Sequence, residues 1–173
     1  SMHQTLILVD EANATVGYAP RDECHAGDGL LHRAVAVVLV DRTQRILLQH
    51  RRSLLWDGFW DLTAATHPLL ANGREESCLE AANRCLASEW NIETQLRECF
   101  AFTYFERHGA SSENEYCVVF TGDYDRPVSP NPQWAYGFRW LPLDVCRKDL
   151  GESTSTYTPW AQIALTQMAS LRP

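Results

Sequence analysis

The sequence contains no apolar run long enough to cross a bilayer. Its longest, Ala34 to Val40, falls far short of the roughly 20 residues a spanning helix needs. Nor is there an excess of basic charge: the net charge is −7 and the pI is near 5.3. A general nucleic-acid or membrane-surface binder needs a basic face, so neither partner is expected. Arginines gathered locally can still hold a small anion such as a diphosphate. The six cysteines (Cys24, Cys78, Cys85, Cys99, Cys117 and Cys146) include no C-x-x-C pair. No basic region followed by an apolar stretch opens the chain at Ser1-Met2-His3-Gln4. The expectation is reduced thiols in a cytoplasmic protein. Repeats, low-complexity tracts and linkers are missing too, so the 173 residues read as one domain, 1–173, with a proper core.

What the chain does have is centred on Ser112 to Phe120, Ser-Glu-Asn-Glu-Tyr-Cys-Val-Val-Phe. After the polar turn His108-Gly109-Ala110-Ser111 it reads as a strand, with β-branched and aromatic residues in alternation. Residues two apart share a face, so Glu113, Glu115 and Cys117 project together while Val118 and Phe120 point to core. Two neighbouring carboxylates repel. Either they stand in water on an edge strand, or a dication turns the repulsion into ligation.

Around that strand the chain reads as follows. Thr5 to Val9 and Ala14 to Tyr18 form an opening hairpin, and Arg21 to His32 an irregular loop holding His25 and His32. Arg33 to Val40 is a buried strand, with Ile46 to His50 its partner across Asp41-Arg42-Thr43-Gln44. An aromatic turn, Trp56-Asp57-Gly58-Phe59-Trp60, leads through Asp61 to Ala65 into Thr66-His67-Pro68, where the proline holds His67 extended. Glu75 to Trp90 is the clearest helix, with acidic residues in its first turn and an inward stripe of Cys78, Ala82, Cys85 and Leu86. That stripe continues onto Glu89, a carboxylate that is costly there unless paired, ligated or already in solvent. Phe100 to Arg107 pairs with Tyr116 to Thr121. After a proline-rich loop come the strand Tyr136 to Leu141, a short helix Leu143 to Leu150, and a last helix starting at Tyr157-Thr158-Pro159-Trp160 and running to Leu171. Strands flanking a central helix, with a terminal helix, indicate an α+β or α/β/α sandwich.

The groups able to hold a metal are His25, His32, His67, Glu113 and Glu115. Three imidazoles and two carboxylates suit Mn²⁺, Mg²⁺ or Zn²⁺ without preference among them. Sequence spacing alone does not show that they converge.

The order R-x-x-x-H-x-x-x-x-x-x-H, then T-H-P after a G-F-W turn, then E-N-E-x-C-x-V-F, then a late P-W resembles the type 1 isopentenyl diphosphate isomerases, a branch of the Nudix fold. The likeness runs over nearly the whole chain. It implies a Nudix-like α/β/α sandwich with a mixed sheet, an N-terminal hairpin extension and a C-terminal helix. It also implies that His25, His32, His67, Glu113 and Glu115 are ligands of a divalent metal, with Glu115 doubling as acid–base residue. Glu89 matches the position that helps hold a second ion, Mg²⁺, with the diphosphate. Arg21, Arg51 and Arg84 match diphosphate contacts, and Tyr104 and Trp160 match aromatics lining the reacting carbon chain. For Arg84 a surface pair with Glu80 is the competing assignment.

The departures are equally specific. Ala65 stands where the family has its catalytic cysteine, Thr66 follows it, and Leu62 replaces an asparagine. Ser53-Leu54-Leu55 occupies the place of a diphosphate-binding lysine, and the helix lacks the R-E-x-x-E-E run of Nudix hydrolases. The expected activity is metal-dependent proton transfer on an isoprenoid diphosphate, as in isopentenyl/dimethylallyl diphosphate interconversion, impaired or altered by Ala65. The alternatives are proton-initiated chemistry such as cyclisation on a longer prenyl diphosphate, a non-catalytic prenyl diphosphate-binding protein, and a Nudix diphosphate hydrolase. With no methyl group able to carry a proton, Cys24, Cys117 or a water would have to take the cysteine's part. Packing beneath the ligands is the plainer role for Cys117.

Overall fold

Strand β3 (His32–Val40) is buried on both faces, and that fixes the layering. Ala34, Ala36, Val38 and Val40 pack into one cluster, Val35, Val37 and Leu39 into the opposite one. The computed structural model describes residues 3–168. On one side lies helix α2 (Cys78–Trp90), which places Ala81, Ala82, Cys85, Leu86 and Trp90 against the odd-numbered valines and leucine. On the other lie α3 (Leu143–Glu152) and α4 (Pro159–Gln167), contributing Cys146, Leu150, Ala161, Ala164 and Leu165. The result is the expected α/β/α sandwich over a mixed sheet.

Hairpin β1 (Thr5–Val9) and β2 (Thr15–Pro20) extends the sheet antiparallel on the β3 edge. Strand β10 (Ser111–Asp123) runs parallel to β3 and antiparallel to β9 (Arg97–His108). Its outward and inward alternation is the one read from the sequence: Cys117 joins the α4 side, Val118 and Phe120 the α2 side.

Four local readings change. The turn Asp41–Gln44 joins β3 to β4 (Arg45–Arg51), but the two strands pair only at Val40 and Ile46. They then splay, because β6 (Ala64–Thr66) takes up β3 while β11 (Ala135–Pro142) and β5 (Trp60–Asp61) take up β4. The α2 helix begins at Cys78, not Glu75. Glu75 closes a small hairpin of β7 (Leu70–Ala71) and β8 (Arg74–Glu75), turned by Asn72 and Gly73 at positive φ. Ser77 then starts the helix with a capping box to Glu80, a stronger start signal than the acidic residues before it. The segment from Arg21 is a short helix α1 (Arg21–His25), and His32 opens β3 rather than ending a loop. The last helix stops at Gln167, and residues 169–171 of its expected span lie outside the described residues.

Candidate metal and diphosphate site

Register assembles the centre of the site. His32 on β3 lies opposite Glu115 on β10, which lies opposite Tyr104 on β9, so one row across three strands carries all three. Thr66 on β6 pairs with Val35 of β3, which delivers His67 beside the same row. His25 reaches it from α1 through a turn that needs glycine. Gly29 sits at φ +67, where a Cβ would fall 2.6 Å from the Cys24 carbonyl oxygen.

The five side chains nominated from sequence converge. One ligand atom from each of His25, His32, His67, Glu113 and Glu115 lies within 4.8 Å of all the others, and every one of the five residues is buried. His25 Nδ1 is 2.9 Å from the Arg21 carbonyl and His32 Nδ1 is 2.7 Å from that of Leu30. A carbonyl only accepts, so both rings place their proton on Nδ1 and turn a bare Nε2 inward. Those Nε2 atoms stand 3.1 Å from Glu113 Oε2 and 3.3 Å from Glu115 Oε2. Among the described residues, His25 Nε2, His32 Nε2 and Glu113 Oε2 have no hydrogen-bond partner. Acceptor facing acceptor in a buried cluster is stable only with a proton or a cation between them, since each unsatisfied group costs about 1–3 kcal/mol. The donor set therefore fits a divalent ion.

The electrostatics agree. Burial works to raise Glu115, but His32 and His67 outweigh it and hold the carboxyl well below its ordinary range. Burial pushes His67 down to about 3, so the ring 2.8 Å from Glu115 is the neutral, ligand-competent imidazole. At the other end burial and the Glu115 charge raise Glu113, while Glu113 more than offsets the burial of His25 and raises it. An arriving dication would displace any proton that this pair shares.

Tyr104 donates to Glu115 Oε1 over 2.5 Å, and burial holds its phenol well above its usual range. Glu89 is buried at the inner face of α2, as the stripe implied, and accepts from Gln49 Nε2 at 3.0 Å. Burial pushes its carboxyl up to about 8. A cavity of about 220 Å³ is lined by Glu89 and Glu115 and by Arg21, Arg51, Arg84, Ala65 and Trp160. Tyr104, expected beside the carbon chain, does not line it and reaches it only through Glu115.

The arginines differ in what they have left to offer. Arg84 does not pair with Glu80, which instead holds Arg74. It forms a bidentate pair with Glu76 and donates to the His67 carbonyl, because the later helix start leaves Glu76 free to fold back. Arg51 pairs with Asp61 at 3.2 Å and also donates to Ser53 and Leu55. Arg21 donates to Gln4 at 3.2 Å.

Two participants escaped the sequence reading. Trp56, at φ +58, donates its indole N–H to Glu113 Oε1 at 3.2 Å and stacks on His108. Its aromatic turn was visible, but not its partner. Asp61 is buried and accepts from Arg51, Leu62, Thr158 and Trp160. Burial raises its carboxyl, but a shell made only of donors satisfies the ionised form.

Ala65 lines the cavity, half-buried, on the β6 face that looks toward α4. Cys117 also lines the cavity, on the strand face of the two glutamates, with burial raising its thiol well above the ordinary value. Cys24 is packed under the opening hairpin with Leu6 and Ala19.

Residues 30–161 match the NUDIX domain family. Isopentenyl-diphosphate Delta-isomerase 2 of Aromatoleum aromaticum is 34% identical over 99% of this chain and 89% of its own length. The isomerase of Haloarcula marismortui is 32% identical over 94% of this chain and 89% of its own length. Among solved structures, DR0079 from Deinococcus radiodurans superposes with a TM-score of 0.77 at 18% identity, covering 96% of this chain and all of that one. No helix among the described residues is long and apolar enough to cross a membrane. The chain is an isomerase-like enzyme that belongs to the Nudix family and, within it, to the isopentenyl-diphosphate Delta-isomerases.

Proposed function

We propose that this chain transfers protons on an isoprenoid diphosphate, following the pattern of isopentenyl/dimethylallyl diphosphate interconversion but altered by Ala65. The observation that carries this reading is the row His32–Glu115–Tyr104, with His25, His67 and Glu113 converging on it. His25, His32, His67, Glu113 and Glu115 would hold one divalent ion, Mn²⁺, Mg²⁺ or Zn²⁺. Bound there, the ion neutralises the paired carboxylates and fixes their orientation.

Glu115, held as a carboxylate by its neighbours, must first take up a proton. The protonated carboxyl, beside the Tyr104 hydroxyl 2.5 Å away, then delivers that proton to C4 of the substrate's terminal double bond and returns to the carboxylate. The π electrons form the new C–H bond and leave a tertiary cation at C3. The Trp160 ring, which lines the cavity, stabilises that charge through its π face. Arg21, Arg51 and Arg84 hold the diphosphate, and Glu89 supports a Mg²⁺ ion that accompanies it. Loss of a proton from C2, to a water or to Cys117 on the cavity wall, completes the isomerisation.

That last step is where this chain departs. A methyl group at Ala65 accepts no proton, and a positioned acid–base group contributes about 10²–10⁴-fold. The same substitution favours a second reading, in which the cation is captured by another double bond of a longer prenyl diphosphate, closing a ring. Incubation with isopentenyl and dimethylallyl diphosphates in D₂O separates these. Deuterium at C2 and C4 that appears, or rises about 10²-fold or more, in Ala65→Cys supports the isomerase reading. Inertness of both proteins toward the C5 substrates, with cyclised release from a longer prenyl diphosphate, supports the second. Orthophosphate release from nucleoside diphosphates, without deuterium exchange, would refute both.

A further inference from the structure

Asp61 is the most heavily engaged carboxylate near the cavity, yet it does not line it. Its side chain is 1% exposed. Oδ1 accepts from Trp160 Nε1 at 2.7 Å, from the Leu62 N–H at 2.6 Å and from Thr158 Oγ1 at 3.3 Å, and Oδ2 accepts from Arg51 Nη1 at 3.2 Å. Two of those partners, Trp160 and Arg51, do line the cavity. The Arg51 guanidinium carbon lies 5.2 Å from the centre of the Trp160 ring. The backbone supports the same junction. The Thr158 N–H donates to the Trp60 carbonyl at 2.9 Å, and Trp60 bridges Tyr157, so β5 anchors the start of α4.

We propose that Asp61 is a positioning residue for the proposed reaction, clamping the Trp160 indole by its N–H while holding Arg51 against the same ring. This rests on the isoprenoid diphosphate reading. One carboxylate thereby ties the group facing the hydrocarbon to a group facing the diphosphate. A buried ion pair is a poor device for stability, because desolvation offsets most of the attraction. Its value here is geometric. Without the acceptor, a buried indole N–H loses its partner and the ring loses its fixed face. A negative acceptor on the N–H also increases the electron density of the ring that must face a carbocation. The pairing has an opposite consequence for the anion: an incoming diphosphate must compete with Asp61 for Arg51.

Those opposing effects give the test, in Asp61→Asn. Freed of its competing carboxylate, Arg51 binds inorganic diphosphate with Mg²⁺ about tenfold more tightly by calorimetry. Deuterium incorporation into the isoprenoid diphosphate falls about tenfold or more, but shows no further fall when the substitution is made in Trp160→Phe. The indole ¹⁵N–¹H signal of Trp160, assigned as the one absent from Trp160→Phe, shifts while those of the other tryptophans stay.

A merely structural role would weaken diphosphate binding and turnover together; that result, or an unmoved Trp160 signal, overturns the proposal. If Asp61→Asn does not fold, Asp61→Glu serves. It keeps the Arg51 pair and the diphosphate affinity but displaces the indole signal and lowers turnover, and an unmoved signal again overturns the proposal. Failure of the functional reading shows separately, as absence of deuterium incorporation in both the wild type and Ala65→Cys with no cyclised product from a longer prenyl diphosphate. The calorimetric and indole readouts then decide the role of Asp61 without turnover.

Discussion

Replacing Glu89 with Gln converts the electrostatics of the cavity into a measurable stability difference. Glu89 is 4% exposed, and burial lifts its carboxyl from about 4.5 to about 8, with Gln49 and Arg51 opposing the shift and Asp61 adding to it. The folded state thus keeps a proton that the unfolded chain releases. Stability from this group is complete below about pH 4.5 and is lost as pH rises to about 8. Each pH unit is worth 1.36 kcal/mol, so the interval amounts to about 5 kcal/mol. Glutamine keeps the Oε1 acceptor for Gln49 and removes the titration. In chelator, urea unfolding from pH 5 to 9 is expected to show wild type losing ground to Glu89→Gln by slightly over 1 kcal/mol per unit. The difference levels off above pH 8. Adding Mg²⁺ with inorganic diphosphate should stabilise the wild type more than the variant, because only the carboxylate gains by ligation. A stability difference that stays constant from pH 5 to 9 would refute the reasoning.

Three further outcomes follow from the same geometry. Tyr104→Phe removes the donor to Glu115 and should lower deuterium incorporation about 10²-fold while leaving metal content unchanged, measured by exchange kinetics and elemental analysis. Gly29→Ala forces a Cβ to 2.6 Å from the Cys24 carbonyl at positive φ, so it should cost about 1–3 kcal/mol and weaken metal binding by displacing His25, read from unfolding and metal titration. Ser77→Ala dismantles the capping box of α2 and should destabilise by about 1 kcal/mol in urea, with metal content intact.

Much of the site was legible because strand and helix periods are short-range. Alternation by two placed Glu113, Glu115 and Cys117 on one face, and a three-to-four spacing carried the α2 stripe onto Glu89. What the sequence could not supply was register between distant strands. His32 meets Glu115 through a parallel pairing, and nothing local to either residue encodes that contact. The family resemblance supplied this convergence in advance.

The errors were local competitions. Glu75 and Glu76 looked like a helix start, but Asn72-Gly73 turned a small hairpin and Ser77 capped the helix later, which moved Arg84 from Glu80 to Glu76. Asp61 was missed because it looks like an ordinary residue entering a strand. Its four donors come from β4, from α4 and its N-cap, and from its own neighbour. Trp56 gives no local sign that its indole reaches Glu113, 57 residues later in the chain.

The central claim is that three imidazoles and two glutamates hold one dication at the floor of the cavity. The direct measurement is equilibrium titration of chelator-treated protein with Mn²⁺, Mg²⁺ and Zn²⁺, alongside folded Glu113→Gln and His67→Gln. The account predicts one tightly bound ion per chain in the wild type and at least tenfold weaker binding in both variants. A wild type that binds none of the three ions, or variants that bind as well as it does, would contradict it.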